Sequence, residues 1–152
     1  MAINMVGEAV LPAGKDLVWE LLNDADVLRL CIPGCESLDL QDDTHFTAVA
    51  KVKLGPVKAT FRGKVALEDL DPPNGYRLSG EGDGGISGFA KGGAVVRLAD
   101  VEGGTLLYYE AEAQIGGKLA QIGSRLVDGV AKKMADEFFA RFVQEVTKRN
   151  HP

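Results

Sequence analysis

Residues 45–68 read HFTAVAKVKLGPVKATFRGKVALE, and the alternation in this stretch decides the fold class. Phe46, Ala48, Ala50, Val52 and Leu54 alternate with His45, Thr47, Val49, Lys51 and Lys53. After a Gly55-Pro56 turn, Val57, Ala59, Phe61, Gly63, Val65 and Leu67 alternate with Lys58, Thr60, Arg62, Lys64 and Glu68. A period of two, apolar on one side and basic or polar on the other, belongs to half-buried antiparallel strands.

Towards the C-terminus, Asp71-Pro72-Pro73-Asn74-Gly75 is a turn cluster. The next strand begins Tyr76, Leu78, Gly80, Gly82, Gly84, and two more follow near Phe89–Leu98 and Leu106–Ile115. Past Gly116-Gly117 the period changes. Leu119, Ile122, Leu126, Val130, Met134, Phe138, Phe142 and Val146 step by three or four, which predicts one amphipathic helix of roughly 30 residues. Towards the N-terminus, Ile3 to Leu11 reads as a strand ended by Pro12, and Lys15 to Leu22 as a short helix. Asp24 is placed to cap a second helix containing Val27, Leu28 and Cys31, which Pro33-Gly34 breaks. The expected architecture is α+β in a single domain over residues 1–152. A curved antiparallel sheet of about seven strands wraps around a long C-terminal helix, the one element large enough to cover its apolar face, with two short helices after the first strand.

The composition is that of an ordinary globular chain: 152 residues, 45% hydrophobic and 26% charged. The net charge of −5 argues against a general nucleic-acid binder and against binding to an anionic membrane through a polybasic patch. No apolar run approaches the roughly 18 residues that span a bilayer, and Met1 to Leu11 lacks the layout of a signal peptide, so the cytoplasm is the expected location. Two cysteines make no disulfide scaffold.

Nineteen glycines in 152 residues is well above the roughly 7% background, and they sit inside strands and helix rather than in a linker. The inferred inward faces are small: Ala48, Ala50, Ala59, Gly63, Gly80, Gly82, Ala94, Ala111 and Ala113. Counted at 100° per residue from Leu119, Gly123 falls on the apolar face of the helix beside Leu126 and Val130. Two readings stand. Either the helix packs close to the sheet and the glycines permit bends, or the small residues leave an internal apolar cavity. In the second, Phe46, Phe61, Tyr76, Phe89, Leu107 and Tyr109 line the rim, and Val96, Ile122 and Val130 complete a lining with Ala50, Gly63, Gly82, Gly123 and Leu126. Tyr76 or Tyr109 then supplies a hydroxyl for a ligand's head group.

Reactive constellations are sparse. Cys31 and Cys35 flank Ile-Pro-Gly, but a metal site needs more ligands, and the histidines are His45 and His151. Glu81 with Asp83, and Glu110 with Glu112, fall on the face opposite the small residues, so a solvated exterior is expected for them. Lys133, Glu137 and Arg141 read as a surface ion-pair row. The glycine-rich stretch from Asp83 to Gly93 precedes a strand rather than a helix, which excludes a phosphate loop. It reads instead as a hairpin gating the cavity, with Phe89 at its tip. No catalytic or metal-binding set is assigned.

Three motifs carry a resemblance: Cys31-Ile32-Pro33-Gly34-Cys35-Glu36-Ser37-Leu38, the run from Gly80 through Gly84-Gly85-Ile86-Ser87-Gly88-Phe89 to Gly92, and Gly116-Gly117-Lys118-Leu119-Ala120-Gln121-Ile122-Gly123-Ser124-Arg125-Leu126. With the order of elements, they resemble the CoxG family of carbon monoxide dehydrogenase proteins, within the START/Bet v 1-like (SRPBCC) helix-grip superfamily, over residues 2–147. The resemblance implies a non-catalytic accessory protein serving a molybdenum hydroxylase of the carbon monoxide dehydrogenase type. It implies no tightly bound cofactor, a quinone or lipid as carried ligand, and peripheral contact at the inner face of the cell membrane. Many family members extend into a C-terminal membrane-anchoring helix, whereas this sequence stops at Pro152, which shifts the expectation from a self-contained anchor towards ligand or partner binding. The alternatives are a recruitment adaptor with a filled core, and a helix-grip enzyme (a cyclase or hydrolase) acting on a hydrophobic substrate.

Overall fold

The computed structural model describes residues 1–150, and His151 lies outside them. The chain runs β1 (Ala2–Leu11), α1 (Lys15–Leu22), α2 (Ala25–Cys31), β2 (Cys35–Asp42), β3 (His45–Leu54), β4 (Val57–Asp71), β5 (Gly75–Asp83), β6 (Phe89–Val101), β7 (Gly104–Gly116), α3 (Lys118–Gln121) and α4 (Ser124–Arg149). A single 3-10 turn, Gly85–Ser87, joins β5 to β6. The seven strands form one antiparallel sheet in the order β1-β7-β6-β5-β4-β3-β2. The expected helix-grip layout is present, including the short helices after the first strand.

Local chemistry explains the boundaries. The Asp24 carboxylate accepts the backbone N–H groups of Asp26 (2.9 Å) and Val27 (3.3 Å), satisfying donors that the first turn of α2 leaves free. The buried Thr105 hydroxyl donates to the Ala13 carbonyl at 2.7 Å, fastening the β1–α1 linker to β7. The Asn150 amide donates to the Pro12 carbonyl at 2.9 Å, fastening the end of α4 to the same linker.

Cross-strand register puts the inner face beyond dispute. Opposed residues of an antiparallel pair point to the same side. Tyr76 therefore shares a face with Val96, Tyr109 and Gly7, and Leu78 with Ala94, Ala111 and Met5. Gly63 is opposite both Ala48 and Gly82, and Gly80 is opposite both Val65 and Gly92. All nine small residues inferred as inward share this one face. At Gly92 a side chain would run into the Glu112 carbonyl of β7, so this close approach of the two strands needs glycine.

The C-terminal helix departs from the expectation. It is not one rod of roughly 30 residues. The four-residue α3 ends, Gly123 adopts φ +97° and ψ 147°, and α4 starts afresh at Ser124. Gly123 is thus at a break and not on a helical face, and no atom lies within 4 Å of the place where its side chain would begin. Its role is conformational: a positive φ is strained for any residue with a Cβ. The break also resets the helical phase, so that Val127 takes the buried position. Leu126 is 40% exposed and leans against Gly55 in the β3–β4 turn.

The hydrophobic core is split. One buried cluster gathers Leu11, Val18, Leu21, Val27, Cys31, Tyr76, Val96, Leu98, Leu107, Phe142 and Val146 around α1, α2 and the C-terminal half of α4. The other joins Leu54, Ile115, Leu119 and Val127 at the far end, with Phe61, Ile122 and Val130 packed against it.

Two glycines six residues apart provide opposite tests. Gly129 lies inside α4, exposed and free of neighbours, so Gly129→Ala is expected to stabilise by about 1 kcal/mol. Gly123→Ala is expected to destabilise by about 1–2 kcal/mol through its φ. Urea unfolding of both variants measures the pair, and an unchanged Gly123→Ala midpoint would show that the break is not held by that residue.

Candidate functional site

Between the two hydrophobic clusters a band of inner-face residues belongs to neither: Met5 and Gly7 on β1, Ala111 on β7, Gly92 and Ala94 on β6, Gly80 and Gly82 on β5, Gly63 and Val65 on β4, and Ala48 and Ala50 on β3. Each is only partly buried, although it faces α4. α4 makes its close approaches to β1, β3, α1 and α2, at the rims of the sheet rather than over its centre. Large side chains at both ends therefore hold the helix away from a floor of glycine and alanine.

The space opens to the side. A cleft of about 540 Å³ lies between the edge strand β1 and α4, with Met5, Gly7 and Tyr109 on the sheet side and Asp128, Lys132 and Phe139 among the helix residues. Met5 and Gly7 belong to the band as well, so the cleft leads onto its floor. The Tyr109 ring lies over Gly7, where a Cβ would sit 2.6 Å from the hydroxyl, and stacks on Phe139 with centroids 5.3 Å apart. Burial, and then the nearby charge of Asp136, raise the Tyr109 phenol above its ordinary pKa.

Deeper along the same cross-strand row is Tyr76, 4% exposed, its ring edge-on to Trp19 of α1 at 5.3 Å. Burial alone pushes its phenol up to about 12. Burial first, and then the charge of Glu145, push the Cys31 thiol up to about 11, with Arg141 and Arg149 pulling the other way.

The expected lining residues fall into three groups. Ala50, Gly63 and Gly82 are on the floor of the band, and Phe46 is buried beside Ala48 on the same face. Tyr76, Val96, Leu107 and Tyr109 border the band from the first cluster, and Phe61, Ile122 and Val130 from the second. Three are placed elsewhere. Gly123 is at the helix break, and Leu126 is at the β3–β4 turn. Phe89 pairs with Asp83 and Gly116 on the outer face, 52% exposed, with its ring over Gly116. The register accounts for Phe89: Ala90, its neighbour, takes the inward position opposite Gly82 and Ile115. The hairpin carrying it is at one end of the sheet, whereas the β1–α4 cleft opens along an edge.

Met5, Gly7, Trp19, Gly92 and Phe139 were not expected at the site. The first two had a signal in the alternation Ile3, Met5, Gly7, Ala9, Leu11, and Trp19 is the sole tryptophan of the chain. The outer face carries Glu81, Asp83, Glu110 and Glu112, as expected. It also carries a groove of about 550 Å³ across β3–β6, lined in part by Thr47, Lys64, Glu81 and Lys91. His45 is exposed and pairs with Asp42 at 2.9 Å; the Thr44 N–H and then His45 hold the Asp42 carboxyl down at about 2. Of the row Lys133, Glu137, Arg141, the pair formed is Glu137–Arg141, at 4.0 Å.

The model of the CoxG family, described as a subunit of carbon monoxide dehydrogenase, matches residues 7–147. The chain belongs to the CoxG family. A crystal structure of a conserved protein from Geobacillus kaustophilus is similar at 31% identity and a TM-score of 0.89, covering 98% of each chain. The Zhui aromatase/cyclase from Streptomyces sp. R1128 is similar at 14% identity and a TM-score of 0.71, over 99% of this chain and 97% of that one. Ara h 8.0201 is similar at 15% identity and 0.67, over 97% and 99%. The last two likenesses establish the Bet v 1-like helix-grip fold of this CoxG-family chain. No curated protein matches it in sequence.

The buried thiol and phenol set an alkaline limit on stability. Their folded pKa values exceed the unfolded values of 9.0 and 10.0, so the stability they contribute is fully present below pH 9 and is lost as the pH rises through about 11 and about 12. The urea midpoint is expected to hold level from about pH 7 to 9 and then to fall. A midpoint that had already fallen by pH 9 would contradict this.

Proposed function

We propose that this CoxG-family protein is a non-catalytic accessory protein that holds an apolar molecule, a quinone or a related lipid, between its sheet and α4. It would serve a molybdenum hydroxylase of the carbon monoxide dehydrogenase type. The observation that carries the reading is the band itself: eleven partly buried, small or slender inner-face positions that belong to neither hydrophobic cluster, with two of them, Met5 and Gly7, in the β1–α4 cleft. A ligand there would be bound chiefly by desolvation, at about 25 cal/mol for each Å² of apolar surface removed from water. The family supports the accessory role and the class of partner.

A peripheral contact with a bilayer belongs to the same proposal, and the distribution of charge supports it. The turns β3–β4 and β5–β6 and the connection from β7 to α4 lie at one end of the sheet. They carry Lys53, Lys58, Lys118 and Arg125, with the acid Asp83 at the β5–β6 turn, beside Ile86, 84% exposed, and Leu126. The opposite turns carry Asp42, Asp43, Asp69, Asp71, Asp100 and Glu102. Although the net charge is −5, one end is basic with apolar tips and suits an anionic surface. No helix among the described residues is long and apolar enough to cross a membrane.

Incubation with membrane extract, native mass spectrometry and organic extraction of the retained molecule test the proposal. A stoichiometric quinone or other lipid is expected. Ala111→Trp, which fills the floor of the band, is expected to lower retention by about tenfold while Tm shifts by no more than about 4 °C. An empty wild-type protein that still captures the hydroxylase would replace this reading with that of a recruitment adaptor.

A further inference from the structure

The Tyr76 hydroxyl is a polar atom without a protein partner at the inner end of the band. No hydrogen bond to it forms among the described residues, and burial is the sole cause of its raised pKa. No side-chain nitrogen or oxygen is sealed from solvent-sized space without a partner among those residues. The residue as a whole is 4% exposed, so its oxygen keeps a small solvent-accessible area while the ring is buried. The Tyr76 side chain is on the inner face, because Tyr76 pairs with Val96, and Val96 with Tyr109.

Its surroundings connect Tyr76 to the band. Ala94, two residues from Val96 on the adjacent strand, is the diagonal neighbour of Tyr76, a separation of about 7–8 Å that an aromatic side chain spans. Ala111 and then Met5 continue the floor from Ala94 to the β1–α4 cleft. From β1 to β5 the sheet crosses three strand spacings, about 14 Å. Trp19 packs edge-on against the Tyr76 ring.

We infer that Tyr76 is the specificity-determining residue of the cavity, donating a hydrogen bond to an uncharged acceptor oxygen, such as a carbonyl, on an otherwise apolar ligand. The ligand lies with its oxygen-bearing end beneath α1 and its hydrocarbon part over Ala94, Ala111 and the glycines. The phenol stays protonated across the physiological range and so acts as a donor. An uncharged ligand end is favoured, since the residues packed around the Tyr76 ring are hydrophobic. This inference rests on the proposed ligand-carrying function and adds which end of the ligand goes in and what chemistry recognises it.

Tyr76→Phe removes the hydroxyl and keeps the ring. Two probes separate the outcomes: a decyl-substituted benzoquinone, and decylbenzene, which has the same chain and no oxygen. The variant is expected to bind the quinone about five-fold more weakly and decylbenzene unchanged. The bound quinone is expected to quench Trp19, the sole tryptophan, in the wild type. Tm should be unaltered, because no protein hydrogen bond is lost, and a clear fall in Tm would give the hydroxyl a structural role and overturn the inference. Equal affinities of wild type and variant for the quinone, with decylbenzene still bound, would overturn it while leaving the cavity intact. Failure of the wild type to bind either probe would overturn both this inference and the proposed function.

Discussion

The rest of the structure depends on the distance at which α4 is held from the sheet. Phe142, Val146 and the α1–α2 residues fill one end of the interface, and Val127, Leu119 and Ile115 fill the other. A helix is stiff on this length scale, so supports at its two ends fix its height over the middle. The floor between them carries side chains of one carbon or none at most positions. Bulk at the ends and its absence in the centre together create the space, and neither would do so alone. Substituting larger residues on the floor would fill it without moving the helix, whereas truncating the end residues would let the helix collapse onto the sheet.

The same glycines serve two purposes. Gly63 opposite Gly82, and Gly80 opposite Gly92, cross the middle strands where the sheet curves. Strand glycine costs conformational entropy and offers no side chain to pack. Here the curvature brings β1 and β3 up to α4, and the missing side chains leave volume beneath it. The outer surface of the bend alternates charges across strands, with Lys64 opposite Glu81 and Glu81 opposite Lys91. The convex face thus gains modest cross-strand support and stays solvated.

Period, turn chemistry and caps made most of the fold legible in the amino-acid sequence. The alternation in β3 and β4, the Asp24 cap and the inward set of small residues all have direct structural counterparts. The helix break was not legible, because Leu119, Ile122, Leu126 and Val130 keep a helical step across it. What ends α3 is a positive φ at Gly123, and no hydrophobic period reports backbone dihedrals. Leu126 was misplaced for that reason. Phe89 was misplaced because it is not the tip of a hairpin but the first residue of β6, where the alternation that turns Ala94 inward turns Phe89 outward. The contribution of α4 to the cleft, Phe139 above all, depended on the helical phase after the break and so could not be counted from Leu119.

The titratable groups within the fold bear on whether this space binds or reacts. A general base or a nucleophile working near neutrality needs a pKa brought towards 7. Tyr76 and Cys31 are both moved away from it, to about 12 by burial alone and to about 11 by burial and then the charge of Glu145. In that state the phenol is a neutral donor and the thiol an apolar space-filler. The carboxylates Glu81, Asp83, Glu110 and Glu112 are on the outer face of the sheet, whereas Asp128 and Asp136 line the β1–α4 cleft, with Asp136 near Tyr109. Similar architecture in an aromatase/cyclase shows that the fold can be adapted to chemistry. In this chain the neutral phenol and thiol and the small apolar floor suit the carrier role proposed above better than acid–base chemistry.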